Sequence, residues 1–237
     1  MIRRRLIEGV RVVIVAGIPA GVVLVGFGSR LAMLLLRVTS PDRVRGVTSD
    51  DGFTIGQVTL AGTYNLLLIG AAVGIIGAVV YQMVAPWLIG PSWFRRLTTG
   101  LASGAVAGSM LVHADGIDFT LLQPTWLAVG LFIALPAVFG TLIGVAVDAA
   151  GRPDNWTTQG KRRRLLPIIL VGCFPLVTLF VLVAAMIVGA RILIGDISLV
   201  QRVRATPVYA LAVRSVWLLI AVAGLLALVN DAQALRG

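Results

Sequence analysis

The chain is short of the residues that most chemistry needs. Its 237 residues include one cysteine and one histidine, and only 13% are charged, against about a quarter in a soluble domain. Cys173 alone excludes an intrachain disulfide, and its position inside an apolar run argues against a reactive thiol. Lys161 is the single lysine and lies outside every apolar run, which excludes an intramembrane Schiff base. No HExxH, Walker A, GxSxG or CxxC pattern occurs. Charge is also missing from long stretches, between Asp51 and Arg95, Asp118 and Asp148, and Arg164 and Arg191.

What is present is apolar: 58% hydrophobic residues and a mean hydropathy of +0.98. Crossing a hydrocarbon core about 30 Å thick takes roughly 20 apolar residues in a helix, and lipid-exposed backbone must bond to itself. A β-barrel would need about ten-residue segments of alternating polarity, whereas Leu165 to Ala190 is apolar on every face. The expected fold is all-α: a single polytopic transmembrane helix bundle over residues 1–237. Six spans are expected, at 12–36, 63–88, 97–113, 124–147, 165–190 and 207–230. The first is too long for a secretory h-region and reads as an uncleaved helix kinked at Pro19. Arg191 to Arg204 reads either as an interfacial amphipathic helix or as an irregular loop.

Six spans put both termini on one side. Twelve basic residues then fall on the terminal side and eight on the other, so the positive-inside rule places both termini on the cytoplasmic side. The net charge of +10 sits in short clusters beside apolar spans, which points to anionic lipid headgroups at the cytoplasmic face, not nucleic acid.

Glycine spacing is the most specific packing signal. Gly70 and Gly74, Gly100, Gly104 and Gly108, and Gly140 and Gly144 form GxxxG steps on the second, third and fourth spans. Such steps let helix backbones approach closely, within the bundle or in a homo-oligomer or membrane-protein complex. Two arginines, Arg30 and Arg214, fall inside spans, at a shared depth of roughly 10 Å below the outer surface. Each requires a polar partner, because a mid-helix charge costs about 2.5–3.5 kcal/mol on insertion. Asp50, Asp51, His113, Asp115 and Asp118 fall on the same side and complete a candidate outer polar cluster. The His-Ala-Asp-Gly-Ile-Asp segment has no defined metal spacing and reads as an interfacial turn, with a metal or proton site as the alternative. Ser49 to Gly52 is a turn signal for a short β-hairpin in the first outer loop. Asn155-Trp156-Thr157 matches a glycosylation acceptor in a loop expected to be cytoplasmic.

The segments Gly28 to Met33, Arg45 to Phe53 and Gly62 to Leu66 together resemble a pattern in uncharacterised actinobacterial multi-pass membrane proteins. The resemblance covers under a quarter of the chain, implies an inner-membrane location and brings no activity or cofactor with it. Three functions are expected in descending order. The first is a structural, assembly or regulatory membrane subunit. The second is a small-solute or lipid transporter or channel with an outward cavity near Arg30 and Arg214. The third is an intramembrane enzyme.

Overall fold

The computed structural model describes residues 2–41, 46, 58–112, 121–204 and 206–234, and within these every regular element is helical. Helix α1 (Ile2–Ala20) passes through a π-helical turn (Gly21–Phe27) into α2 (Gly28–Thr39) as one 38-residue rod. Pro19 cannot donate to the preceding turn, and the π turn that follows it almost at once is where a kink is expected. The outer hairpin expected around Ser49 to Gly52 lies outside the described residues.

Helix α3 (Leu60–Val84) starts on the hydroxyl of Thr59, which accepts from the Gly62 amide at 3.0 Å, and ends in a 3-10 turn, Ala85–Trp87. It runs antiparallel to α1, and the two backbones meet at four glycines. A Cβ on Gly17 would sit 2.7 Å from the Gly74 carbonyl oxygen, and one on Gly21 would overlap the Gly70 carbonyl. Helices α4 (Ser92–Leu111) and α5 (Thr125–Ala150) pair the same way. A Cβ on Gly104 would sit 2.9 Å from that of Ala137, and one on Gly100 would overlap Thr141. The GxxxG steps therefore serve intrachain packing.

Among the described residues, five helical stretches are long and apolar enough to cross a membrane: Ile2–Thr39, Leu60–Trp87, Thr125–Ala150, Pro175–Gly195 and Pro207–Asp231. The protein is an integral membrane protein on that basis. The third expected span is the 20-residue α4, which falls outside this set because Arg95 and Arg96 occupy its first turns and small residues much of the rest. It packs between α5 and the last helix, where a Cβ on Gly224 would meet Val106 and Ala105 at 3.0–3.1 Å.

The fifth expected span is corrected. Residues 165–190 form no single rod; α6 (Arg162–Cys173) and α7 (Thr178–Gly195) are separate helices that run in opposite directions, each packed against α1. Arg163 pairs with Glu8 at 2.8 Å and Asp196 with Arg5 at 3.2 Å, so both ends of the segment meet the start of α1. A continuous helix from Arg163 to Asp196 would hold them about 50 Å apart. The turn is at Phe174 (φ −135°, ψ 71°), which Pro175 keeps out of the α region, followed by a 3-10 turn, Pro175–Val177. It sits at the far end of α3, where Tyr64 stacks on Phe174 at 6.1 Å and donates to the Cys173 carbonyl at 3.4 Å.

Helix α7 runs on to Gly195, and the open segment after it contains the short α8 (Ser198–Arg204). Helix α9 (Pro207–Ala234) then starts at the same end as α1 and runs parallel to α4, with Gly224 beside Ala105 and Leu228 beside Gly108. Leu228 reaches the buried cluster of Leu36, Val112, Leu122 and Ala128 at the opposite end. The amino-terminal end of α1 and the carboxyl-terminal end of α9 thus lie at opposite ends of the bundle, unlike the shared side expected from six spans. One apolar run that doubles back changes the parity of every element after it.

Candidate functional site at the basic end

The hairpin regroups the charges. Arg191, Arg202, Arg204 and Arg214, read from the sequence as outer, join Arg3, Arg4, Arg5, Arg11, Arg95, Arg96, Arg152 and the Lys161 to Arg164 run at the amino-terminal end of α1. Fifteen of the twenty basic residues gather there with four carboxylates, Glu8, Asp148, Asp154 and Asp196. In the other half, Arg30 and Arg37 are the basic residues among those described.

Two networks order this end. Arg11 is 3% exposed and spends its guanidinium on Glu8 (2.6 and 3.0 Å), the Thr157 hydroxyl (2.9 Å) and the Ala150 carbonyl (2.7 Å). Glu8 also accepts from Arg163 at 2.8 Å, so one carboxylate on α1 fastens α6, and Arg11 fastens the end of α5 and the 3-10 turn Trp156–Thr158. A buried guanidinium is tolerated when its donors are matched in this way. On the neighbouring face, Asp148 receives Arg96 at 2.7 and 2.9 Å and the Tyr81 hydroxyl at 3.2 Å, joining α3, α4 and α5.

A third feature surrounds the carboxyl-terminal end of α3, where the last carbonyls have no intrahelical partner and the helix dipole is negative. Arg191 donates to the Gln82 carbonyl at 2.6 Å, Arg95 to Ala85 at 3.4 Å and Arg214 to Trp87 at 2.9 Å. Three helices, α4, α7 and α9, are thereby tied to one helix end.

Arg30 and Arg214 share neither a depth nor a site. Arg214 meets Trp87 at one end of the 28-residue stretch Leu60–Trp87, about 40 Å long, while Arg30 lies beyond the Gly26–Leu67 contact toward the other. The misassignment follows from the hidden hairpin, which reverses the direction of α9. Asp50, Asp51, His113, Asp115 and Asp118 lie outside the described residues. Among the described residues, no three of His, Cys, Asp and Glu come together to hold a metal ion.

In the sequence Arg11 and Arg96 read only as basic residues beside the spans, Arg96 as part of an interfacial anchor with Trp93 and Arg95, and Glu8, Tyr81 and Asp148 carried no role. The Glu8/Arg11 spacing of three on a helix was a legible signal. The link from Tyr81 to Arg96 and Asp148 had none, because three helices supply it. Comparison with protein-family models, curated proteins and solved structures finds no match for this chain.

Proposed function

We propose that the protein is an assembly or regulatory subunit of the bacterial cytoplasmic membrane, with its amino terminus in the cytoplasm and its basic end turned to anionic partners there. The observation that carries this reading is the segregation of charge. Fifteen of the twenty basic residues share one end, and Arg30 and Arg37 are the basic residues described in the other half, a steeper imbalance than the twelve-to-eight division expected from six simple spans. The positive-inside rule assigns that end to the cytoplasm, and the carboxyl-terminal end of α9 then faces the outer side.

A docking role, in place of transport, is favoured by the glycine-tight contacts of α1 with α3 and of α4 with α5. The transporter alternative rested on Arg30 and Arg214 sharing a cavity, and their separation removes that basis.

Two measurements test the proposal. In a Cys173→Ala background, Arg3→Cys and Gln233→Cys are expected to react with a membrane-impermeant maleimide from opposite sides, position 233 in intact cells and position 3 only after permeabilisation. Labelling of both from one side overturns the orientation. Affinity purification from native membranes followed by native mass spectrometry is expected to retain a stoichiometric partner or a second copy. A strictly monomeric protein, with every membrane complex intact in the deletion strain, overturns the subunit reading.

A further inference from the structure

At the basic end a cleft of about 730 Å³ opens between α1, α3 and α5. Its volume falls within the roughly 300–1,000 Å³ of small-ligand pockets. Arg4, Arg5 and Arg152 line it, together with Glu8 and Asp148. Val12 and Val147, both buried, stand deeper along their helices and give it an apolar inner wall.

Its charge is not balanced from within. Glu8 is already engaged by Arg11 and Arg163, and Asp148 by Arg96 and the Tyr81 hydroxyl. Neither carboxylate neutralises the arginines that line the cleft. Arg5 shares the half-exposed Asp196, whereas Arg4 and Arg152 form no ion pair among the described residues. Three guanidiniums above an apolar wall, at the ends of membrane helices, match an anionic head on an apolar stem.

We infer that this cleft is a binding site for a phosphate ester, held by Arg4, Arg5 and Arg152. The same chemistry is offered by the phosphodiester headgroup of an anionic phospholipid and by a soluble phosphate ester. The apolar wall of Val12 and Val147 matches the glycerol and first acyl carbons of the lipid. The inference rests on the proposed function for the side of the membrane that the cleft faces.

The test uses the full chain in phosphatidylcholine nanodiscs doped with phosphatidylglycerol, transferred to detergent for native mass spectrometry, with calorimetric titration of glycerol 3-phosphate as a second arm. The wild type is expected to retain phosphatidylglycerol in preference to phosphatidylcholine. Loss of two charge-assisted contacts in Arg4→Gln/Arg152→Gln is expected to cut that retention at least about tenfold. Arg37→Gln, in the other half, should retain lipid as the wild type does. Arg4→Lys/Arg152→Lys should recover part of the binding, which separates a lost contact from a lost fold.

Binding of glycerol 3-phosphate, abolished by the same Gln pair, supports the phosphate site and assigns it to a soluble ligand. The site is overturned if neither probe is preferred, if the Gln pair binds as the wild type does, or if Arg37→Gln loses as much. Cysteine sidedness and partner capture are read independently, so failure here leaves the proposed function standing, and a reversed orientation moves the site to the outer face without altering the binding readout.

Discussion

The first span and the last have the same mean hydropathy, yet half of the apolar window in Ile2–Thr39 is buried against 11% of that in Pro207–Asp231. Hydropathy alone does not separate a helix at the centre of this bundle from one at its edge. Glycine does, because lipid tails are as apolar as leucine and helix association depends on close packing. The first rod carries Gly17 and Gly21 onto Gly70 and Gly74, backbone against backbone. Helix α9 makes one such contact, at Gly224, and leaves Leu211, Leu218, Leu219 and Leu226 outward. It is held at its other end by one Arg214 hydrogen bond to Trp87 and the edge contact of Tyr209 with the Trp87 ring at 4.9 Å.

That contrast is sharpest at Gly21. No side chain can yield where a Cβ would meet the Gly70 carbonyl, so Gly21→Val is expected to cost about 3 kcal/mol or more, the upper range of overpacking. Gly130→Val, with open space around its Cβ position, should change stability by no more than about 0.5 kcal/mol. Reversible unfolding in bicelles reads both, and equal effects would break the comparison.

Arg11→Met comes next. It strips the Thr157 hydroxyl and the Ala150 carbonyl of their donor while Glu8 keeps Arg163, for an expected loss of about 2–3 kcal/mol by the same measurement. Proteolysis between Gly151 and Lys161 should rise with it, since that segment is fastened to α1 through Arg11. The smallest effect belongs to the edge helix. Leu219→Ala, 67% exposed, should move stability by less than about 0.5 kcal/mol in bilayer; a loss near 2 kcal/mol would mean that α9 packs on a partner there.

The parts that the sequence made legible are local. Apolar length is a property of contiguous residues, and so is a GxxxG step, which is why the helices and their contact faces could be read directly. Pro175 did not stand out as a break, because Pro19, Pro136 and Pro167 also follow a bulky residue in mid-run and stay inside their helices. Apolar content on both sides of it concealed the reversal, since a hairpin and a single crossing have equal hydropathy.

The candidate site was less legible. Eleven of its fifteen basic residues already fell on one side in the sequence; the reversal adds Arg191, Arg202, Arg204 and Arg214. Placing Arg214 with Arg30 was a correct count on a wrong parity.

By itself, then, the sequence determined that this chain lives in lipid as packed helices, because the backbone must satisfy its own hydrogen bonds there and apolar length is written in order along the chain. Tertiary structure alone decided which helices are central, that residues 162–195 double back, and that Arg191, Arg202, Arg204 and Arg214 join the basic end. The physical reason is that direction of travel is not encoded in hydropathy. It is fixed by pairs such as Glu8 with Arg163 and Arg5 with Asp196, between residues far apart in sequence.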